Sequence, residues 1–341
     1  MKRNWRFGFG AAMVAVLAMA VVAVPSGATT RGVVAAASAS CTPKTNIEAI
    51  IDDSGSMAIT DENRLRIQAI DLLINALPPQ TQLGGVEFGS ELFEKGAADI
   101  VFPTEPVGAN AAAMKSALDV AIQADNGATD YNSAFAAADA ADPISQARIF
   151  LTDGGHNEGE YKEAHLAHNV PTYVIGFGSG LTAPEDQARL QKIATDTGAA
   201  FFPLPDASAL QAAMTKIEAA LTCQTPPREF NDLLKEGQVK FHSIPVGAST
   251  KTLQIVLSWP SALDKFKLAG LKLIAKHKVV AAARPKVRKL QVTKEGGQTF
   301  LVAKVSGLTK GKLRFSVKAA KIGSGEPKVK LTTQVGRGAG H

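Results

Sequence analysis

The sequence predicts an α/β domain, a doubly wound and mostly parallel sheet, followed by an all-β domain of sandwich type. Three observations carry that expectation. Through residues 41–223, apolar runs of strand length alternate with Ala-rich stretches of helical spacing, the pattern of parallel strands joined by crossover helices. From about residue 237 the pattern becomes short period-2 runs punctuated by glycine and proline. The charge changes sign between the two regions: residues 41–223 hold 10 Lys and Arg against 25 Asp and Glu, net −15, whereas 224–341 hold 23 against 6, net +17. The overall +6 therefore averages an acidic module and a basic one, and only the second is suited to an anionic partner.

With 341 residues, 45% hydrophobic and 20% charged, the chain has a globular composition and length for about two domains. A wholly disordered chain and a collagen-like repeat are excluded. Two cysteines permit one disulfide and exclude a disulfide-dense scaffold or a four-cysteine zinc site.

Residues 1–40 read as an export signal and spacer. Lys2, Arg3 and Arg6 precede an uncharged apolar run over 7–24, and Pro25, Ser26, Gly27 and Ala28 follow it. Cleavage is expected after Ala28, with Ala39 as the second site. A retained membrane anchor is the alternative, although 18 apolar residues barely span a bilayer. Lipidation of Cys41 is a third, weakened by Ser38 standing where a lipobox has Leu. Each places the protein in an extracytoplasmic, disulfide-permitting compartment, secreted or at a bacterial surface.

In the acidic module, strands are expected over 45–52, 83–88, 147–151, 170–177 and 199–204. Helices are expected over 64–77, where Leu65, Ile67, Ile70, Leu73, Ile74 and Leu77 recur at helical spacing, and over 109–124, 130–141, 160–168, 184–198 and 206–221. A sheet wound in this way binds ligands at the carboxyl ends of its strands.

Three loops at that edge carry oxygen ligands. The first strand runs into Asp52-Asp53-Ser54-Gly55-Ser56, which sets Asp52, Ser54 and Ser56 at alternate positions. The strand over 147–151 runs into Thr152-Asp153-Gly154-Gly155, and between them lies Gly127-Ala128-Thr129-Asp130. In order and spacing this set resembles the von Willebrand factor A domain, whose metal-ion-dependent adhesion site combines Asp-x-Ser-x-Ser with a separate Thr and a separate Asp. The resemblance covers about residues 41–223 and implies Asp52, Ser54, Ser56, Thr129 and Asp153 as the metal site. It also implies direct contacts from the hydroxyls, with the carboxylates often acting through water.

The residue chemistry agrees. All five are hard oxygen donors, which selects Mg²⁺ by default, with Mn²⁺ or Ca²⁺ as alternatives, over zinc or copper. A coordination position left open would accept an Asp or Glu side chain of a protein ligand. Asp53 is expected to face outward or to support the site, Asp130 to cap the following helix, and His156 to be a solvated loop residue at the rim. His165 and His168 are expected to lie on a polar helix face. In a fold of this kind the start of the first strand and the end of the last helix can meet, so a Cys41–Cys223 disulfide is geometrically plausible. Such end-to-end bridging also resembles some extracellular members of the family.

Residues 224–236 read as a linker, 237–336 as the basic β domain and 337–341 as a flexible tail. Strands are expected over 238–246, 252–259, 268–280, 288–292, 299–305, 312–319 and 327–334, with Glu295-Gly296-Gly297-Gln298 as a hairpin loop. The domain loosely resembles the β-sandwiches that follow bacterial secreted peptidase and adhesin modules, but it lacks their Asp-rich signature and no function carries over. Its lysines suit either a solvated face that protects edge strands or attachment to an anionic cell-envelope polymer, lipid headgroups or the acidic domain itself. Nucleic acid is disfavoured, because Trp259 is the only Trp or Tyr after residue 223.

The function expected is metal-dependent protein binding or adhesion outside the cytoplasm, without catalysis. One alternative is a non-adhesive envelope scaffold anchored by the basic domain. Another is a hydrolase or phosphatase using the Asp-Ser strand end. Against that, Ser54 replaces the second Asp of a haloacid-dehalogenase-like phosphatase, and no G-x-S-x-G elbow is present.

Overall fold

The structure is a computed structural model that describes residues 41–89, 98–123, 127–163, 170–178, 181, 183–205, 209–283 and 288–337. The expected export segment and the pair His165 and His168 lie outside the described residues.

The N-terminal sheet has six strands in the order β3-β2-β1-β4-β5-β6. They are β1 (Asn46–Asp52), β2 (Gln82–Phe88), β3 (Ala98–Pro106), β4 (Ala147–Thr152), β5 (Thr172–Phe177) and β6 (Phe201–Leu204). Every residue of the central strand β1 is buried, and it pairs in parallel with β2 (Ile47 opposite Leu83) and β4 (Ile47 opposite Ala147). Successive side chains of a strand point to opposite faces. Ile47, Ala49 and Ile51 accordingly pack with α2 (Leu65–Ala76), α3 (Val107–Ala121) and α6 (Leu210–Leu221), whereas Ile50 packs with α4 (Tyr131–Ala141) and α5 (Pro184–Asp196). The sheet is doubly wound, as expected.

Two features of this half depart from expectation. Strand β3 escapes the apolar pattern because it is a mostly exposed antiparallel edge strand containing Pro103 and Pro106, residues an edge tolerates. Of the helix expected over 160–168, residues 164–168 lie outside the described residues, 160–162 are not helical and Glu163 is in a 3₁₀ turn. The Asn132 amide holds 160–162, donating to the Glu160 carbonyl and accepting from the Lys162 N–H.

The C-terminal half is a sandwich of two five-stranded sheets. One has the order β13-β14-β9-β16-β7, from β7 (Arg228–Leu234), β9 (Leu253–Ser258), β13 (Gln291–Gly296), β14 (Phe300–Ser306) and β16 (Val329–Arg337). The other has the order β12-β11-β10-β15-β8, from β8 (Val239–Val246), β10 (Lys265–Ala275), β11 (Lys278–Ala282), β12 (Arg288–Lys289) and β15 (Gly311–Lys321).

Segment 224–236, read as a linker, instead contains strand β7, which pairs with β16 from Arg228 opposite Val335 to Leu234 opposite Val329. Pro226, Pro227 and the polar residues of this edge strand hid it. Arg337, read as part of the tail, ends β16. The strand expected over 268–280 divides into β10 and β11 at Lys276 and His277, whose φ values of 46° and 64° make a turn usually built from Asn and Gly.

Alternation along β9 explains how the halves join. Ile255 and Leu257 face the sandwich core, while Val256 reaches the core of the α/β domain together with Phe300 and Val302. Polar contacts surround this apolar seam: Gln211 Nε2 donates to Thr299 Oγ1 at 3.0 Å, and Gln334 Nε2 donates to the Ala212 carbonyl at 3.0 Å. The described residues form one compact unit.

Cys41 and Cys223 form a disulfide with a Cα separation of 5.7 Å, next to a hydrogen bond from Lys44 N to the Leu221 carbonyl. The start of β1 is thereby tied to the end of α6. The bond also occupies the Cys41 sulfur, which removes the lipidation alternative. Among the described residues no helix is long and apolar enough to cross a membrane.

Candidate functional site

The loops after β1 and β4 meet the loop before α4 at the carboxyl edge of the sheet. Ser54 forms a parallel bridge with Gly127, the Gly55 N–H donates to the Gly127 carbonyl at 3.0 Å, and the Gly127 N–H donates to the Gly89 carbonyl at 2.6 Å. Gly89 has φ +89°, and a Cβ there would lie 2.9 Å from the Ser54 Cα, so this close approach needs glycine.

The five residues singled out from sequence converge here. The Thr129 hydroxyl donates to Ser54 Oγ at 3.2 Å, Ser54 Oγ lies 3.3 Å from Ser56 Oγ, and the Ser56 hydroxyl donates to Asp153 Oδ1 at 2.7 Å. Asp52 sits beneath this chain of oxygens. Its Oδ1 accepts from the Ser54 N–H at 2.9 Å, and its Oδ2 accepts from the Thr152 hydroxyl at 2.6 Å. Burial, then the negative charge of Asp153, pushes the Asp52 carboxyl up to about 7, and burial raises Asp153 as well.

The donor set fits a hard cation. Cis ligands of an octahedral ion with bonds of about 2.1–2.3 Å lie about 3.0–3.3 Å apart, close to the spacing of these oxygens. Among the described residues, no three of His, Cys, Asp or Glu group at metal-binding distance. A site here would therefore be one of hydroxyls and few carboxylates, not of zinc type.

Several supporting residues were not read from the sequence. Thr60 donates its hydroxyl to Asp153 Oδ2, and Thr152 fixes Asp52. The Thr129 N–H donates to Asn157 Oδ1 at 2.9 Å, and the Asn157 N–H returns a bond to the Thr129 carbonyl at 3.0 Å. Tyr131 OH donates to the Gly154 carbonyl at 2.6 Å. Thr152, immediately before Asp153, is the one whose position in sequence offered a signal.

Asp53 does not face outward. It is fully buried and accepts from Arg66 Nη2 at 2.6 Å, and the same guanidinium reaches Asp61 Oδ2 at 3.2 Å. Asp61 also accepts from the Leu65 and Arg66 N–H groups, which starts α2 behind the site. His156 is not a solvated rim residue either. Its side chain is only 3% exposed, its Nδ1 accepts from the Tyr131 N–H at 3.1 Å, and burial lowers its pKa. Asp130 caps α4 as expected, accepting from the Asn132 N–H at 2.8 Å.

A family model described as the von Willebrand factor type A domain matches residues 46–216, half of the 341-residue chain. No curated protein matches the chain in sequence. Solved structures similar to it include a von Willebrand factor type A protein from Catenulispora acidiphila, at 17% identity and TM-score 0.42 over 84% of this chain and 62% of that one. The SpaC pilus adhesin of Lactobacillus rhamnosus GG is similar at 12% identity and TM-score 0.41 over 86% of this chain and 44% of that one. The manganese-loaded TRAP protein of Plasmodium vivax is similar at 19% identity and TM-score 0.39 over 60% of this chain and 87% of that one. The chain thus spans less than two thirds of the length of the first two.

Proposed function

We propose, for a chain that belongs to the von Willebrand factor type A family, divalent-cation-dependent binding of a protein ligand outside the cytoplasm. The observation that carries this reading is the row of oxygens from Thr129 through Ser54 and Ser56 to Asp153, assembled from three loops at one sheet edge. Ser54, Ser56 and Thr129 would hold the ion directly. Asp52 and Asp153 would balance its charge, with Asp52 acting through water because both its oxygens already accept protein hydrogen bonds. Mg²⁺ is the ion proposed, with Mn²⁺ or Ca²⁺ as substitutes. When bound, such an ion supplies a Lewis-acidic position that an Asp or Glu side chain of the ligand completes.

The protein is read as non-enzymatic. Asp52 is buried, which argues against a phosphatase nucleophile, and the hydroxyl of Ser54 meets two other hydroxyls, not a base. The Cys41–Cys223 disulfide supports an oxidising, extracytoplasmic location. The basic sandwich is read as an anchor to an anionic envelope polymer or lipid. If the ion site proved inert, the second reading, a non-adhesive scaffold held at the envelope, would remain.

The test is ligand capture from surface and secreted fractions with and without EDTA, together with Asp52→Ala. Loss of capture in both, with the fold retained by circular dichroism, is expected. Capture that survives both treatments rejects a metal-bridged ligand.

A further inference from the structure

We propose that the outer face of the sheet containing β10 and β15 is a membrane-binding surface for anionic lipid headgroups. This rests on reading the basic domain as an anchor and is independent of the cation site.

Cross-strand register places like charges directly opposite one another: Lys265 faces Lys321, Lys267 faces Lys318, and Lys272 faces Arg314. All six are exposed, and Lys312 extends the row on β15. Directly opposed like charges weaken a sheet, so three such pairs call for an explanation.

Protection of sheet edges does not supply one. In the order β12-β11-β10-β15-β8, strands β10 and β15 are interior, whereas edge strand β8 presents Phe241 at 81% exposure. Nor do local acids neutralise the face. Asp232 pairs with His242 and Glu229 with Lys216, while Glu236 and Asp264 accept from backbone N–H groups at Ile322, Gly323 and Ser324. Among the described residues, no carboxylate lies within ion-pair distance of these seven cations.

The apolar residues decide between an anionic bilayer and a soluble polyanion. Phe241 and Val239 on β8 and Val279 on β11 flank the cationic rows, and a concavity of about 540 Å³ lies among Phe241, Ile274, Val279, Lys272 and Arg314. A polyanion would engage the cations and leave Phe241 in water. A bilayer surface engages both, with cations at the phosphates and the aromatic ring at the acyl boundary. The face also points away from the α/β domain, because the other sheet of the sandwich packs on that domain. The acidic domain, net −15 over 41–223, would then stand off a negative surface.

The test is co-sedimentation of the full chain with vesicles of phosphatidylglycerol and phosphatidylcholine, compared with phosphatidylcholine alone. The apolar run over 7–24 is present in both measurements, so the readout is their difference. Joint replacement of Lys267, Lys272, Arg314 and Lys318 by Gln should weaken the anionic component on the order of 1,000-fold. Phe241→Ser should weaken it about tenfold, and Gln at the loop lysines Lys235, Lys251, Lys310 and Lys328 should largely preserve it. Binding should fall with salt and be indifferent to EDTA.

Equal binding by the quadruple variant and the wild type overturns the proposal, as does equal binding of wild type to neutral and anionic vesicles. Capture on immobilised polyphosphate without anionic-vesicle binding overturns it in favour of a soluble polyanion. Loss in EDTA would assign the binding to the cation site instead. Retained EDTA-sensitive ligand capture by the quadruple variant shows that the two sites act separately.

Discussion

The Ser56 hydroxyl donates to Asp153 Oδ1 at 2.7 Å although 97 residues separate them, closing the row of oxygens across two strand ends. Asp153 is also the charge that raises Asp52 after burial has done so. Without a cation, two desolvated carboxylates repel each other; with one, they balance it. Asp153→Asn removes the repulsion and half of the compensating charge. The metal-free variant should melt at or above the wild-type temperature. At a cation concentration of 100 times Kd the wild type should gain about 2.7 kcal/mol, and the variant at the same concentration almost nothing. Thermal melts with and without Mg²⁺ or Mn²⁺ check this; an equal gain in both proteins would remove Asp153 from the site.

The disulfide should be worth much to this domain because it closes nearly the whole of it. Cys41 and Cys223 are 182 residues apart, and in the chain-entropy model a loop of that length contributes about 5 kcal/mol by restricting the unfolded chain. Cys41→Ser with Cys223→Ser should lower the urea midpoint accordingly while leaving the slope close to that of the reduced wild type. The hydrogen bond from Lys44 N to the Leu221 carbonyl should persist, since both strand and helix ends are held by packing. An unchanged midpoint would show that the two ends are held without the bridge.

Much of the site was legible because its residues are local consequences of strand ends. Asp52, Ser54 and Ser56 alternate after a buried apolar run, so their direction followed from strand geometry, and Asp153 repeats the arrangement one strand over. Thr60 was not legible because only the turn of α1 (Met57–Thr60) brings it back to Asp153. Arg66 is one polar position among the apolar ones of its helix, and its burial between Asp53 and Asp61 depends on tertiary packing alone. The missed strands β3 and β7 are edges, where one side and one row of backbone groups face solvent and the apolar pattern fades. The division of β10 from β11 was hidden for a different reason, since Lys276 and His277 adopt positive φ without the residues that normally announce it.

Glu218 makes the joint between the two halves sensitive to pH. It lies on α6, accepts from Gln254 Nε2 of β9 at 3.3 Å and from the Thr222 hydroxyl at 2.8 Å through its carbonyl, and burial pushes its carboxyl from 4.5 up to about 7. The folded chain therefore keeps a proton that the unfolded chain releases between pH 4.5 and about 7. Its contribution to stability is complete below that window and declines as pH rises through it. Glu218→Gln should remove the Glu218 share of this decline, about 3 kcal/mol above pH 7, and leave the share of other raised carboxyls such as Asp52. Urea unfolding across the window provides the measurement. A wild-type decline that the Gln variant reproduces would place the titration elsewhere.

Arg66 should be the least replaceable residue behind the site. Its guanidinium joins Asp53 and Asp61 with all three side chains fully buried, and Asp61 in turn holds the first N–H groups of α2. Three buried charges are expensive to desolvate, and they are tolerated because each has a partner. Arg66→Leu keeps the volume apolar but leaves two carboxylates facing each other without their cation, so it should cost about 3–5 kcal/mol. Adding Asp53→Asn should recover part of that loss, because one of the stranded charges disappears, whereas Asp53→Asn alone should be destabilising. Such a reversal of sign in a double-mutant cycle is specific to coupled charges. Simple additivity of the two substitutions in denaturant unfolding would show that the pair does not act as a unit, and that α2 is positioned by its apolar face alone.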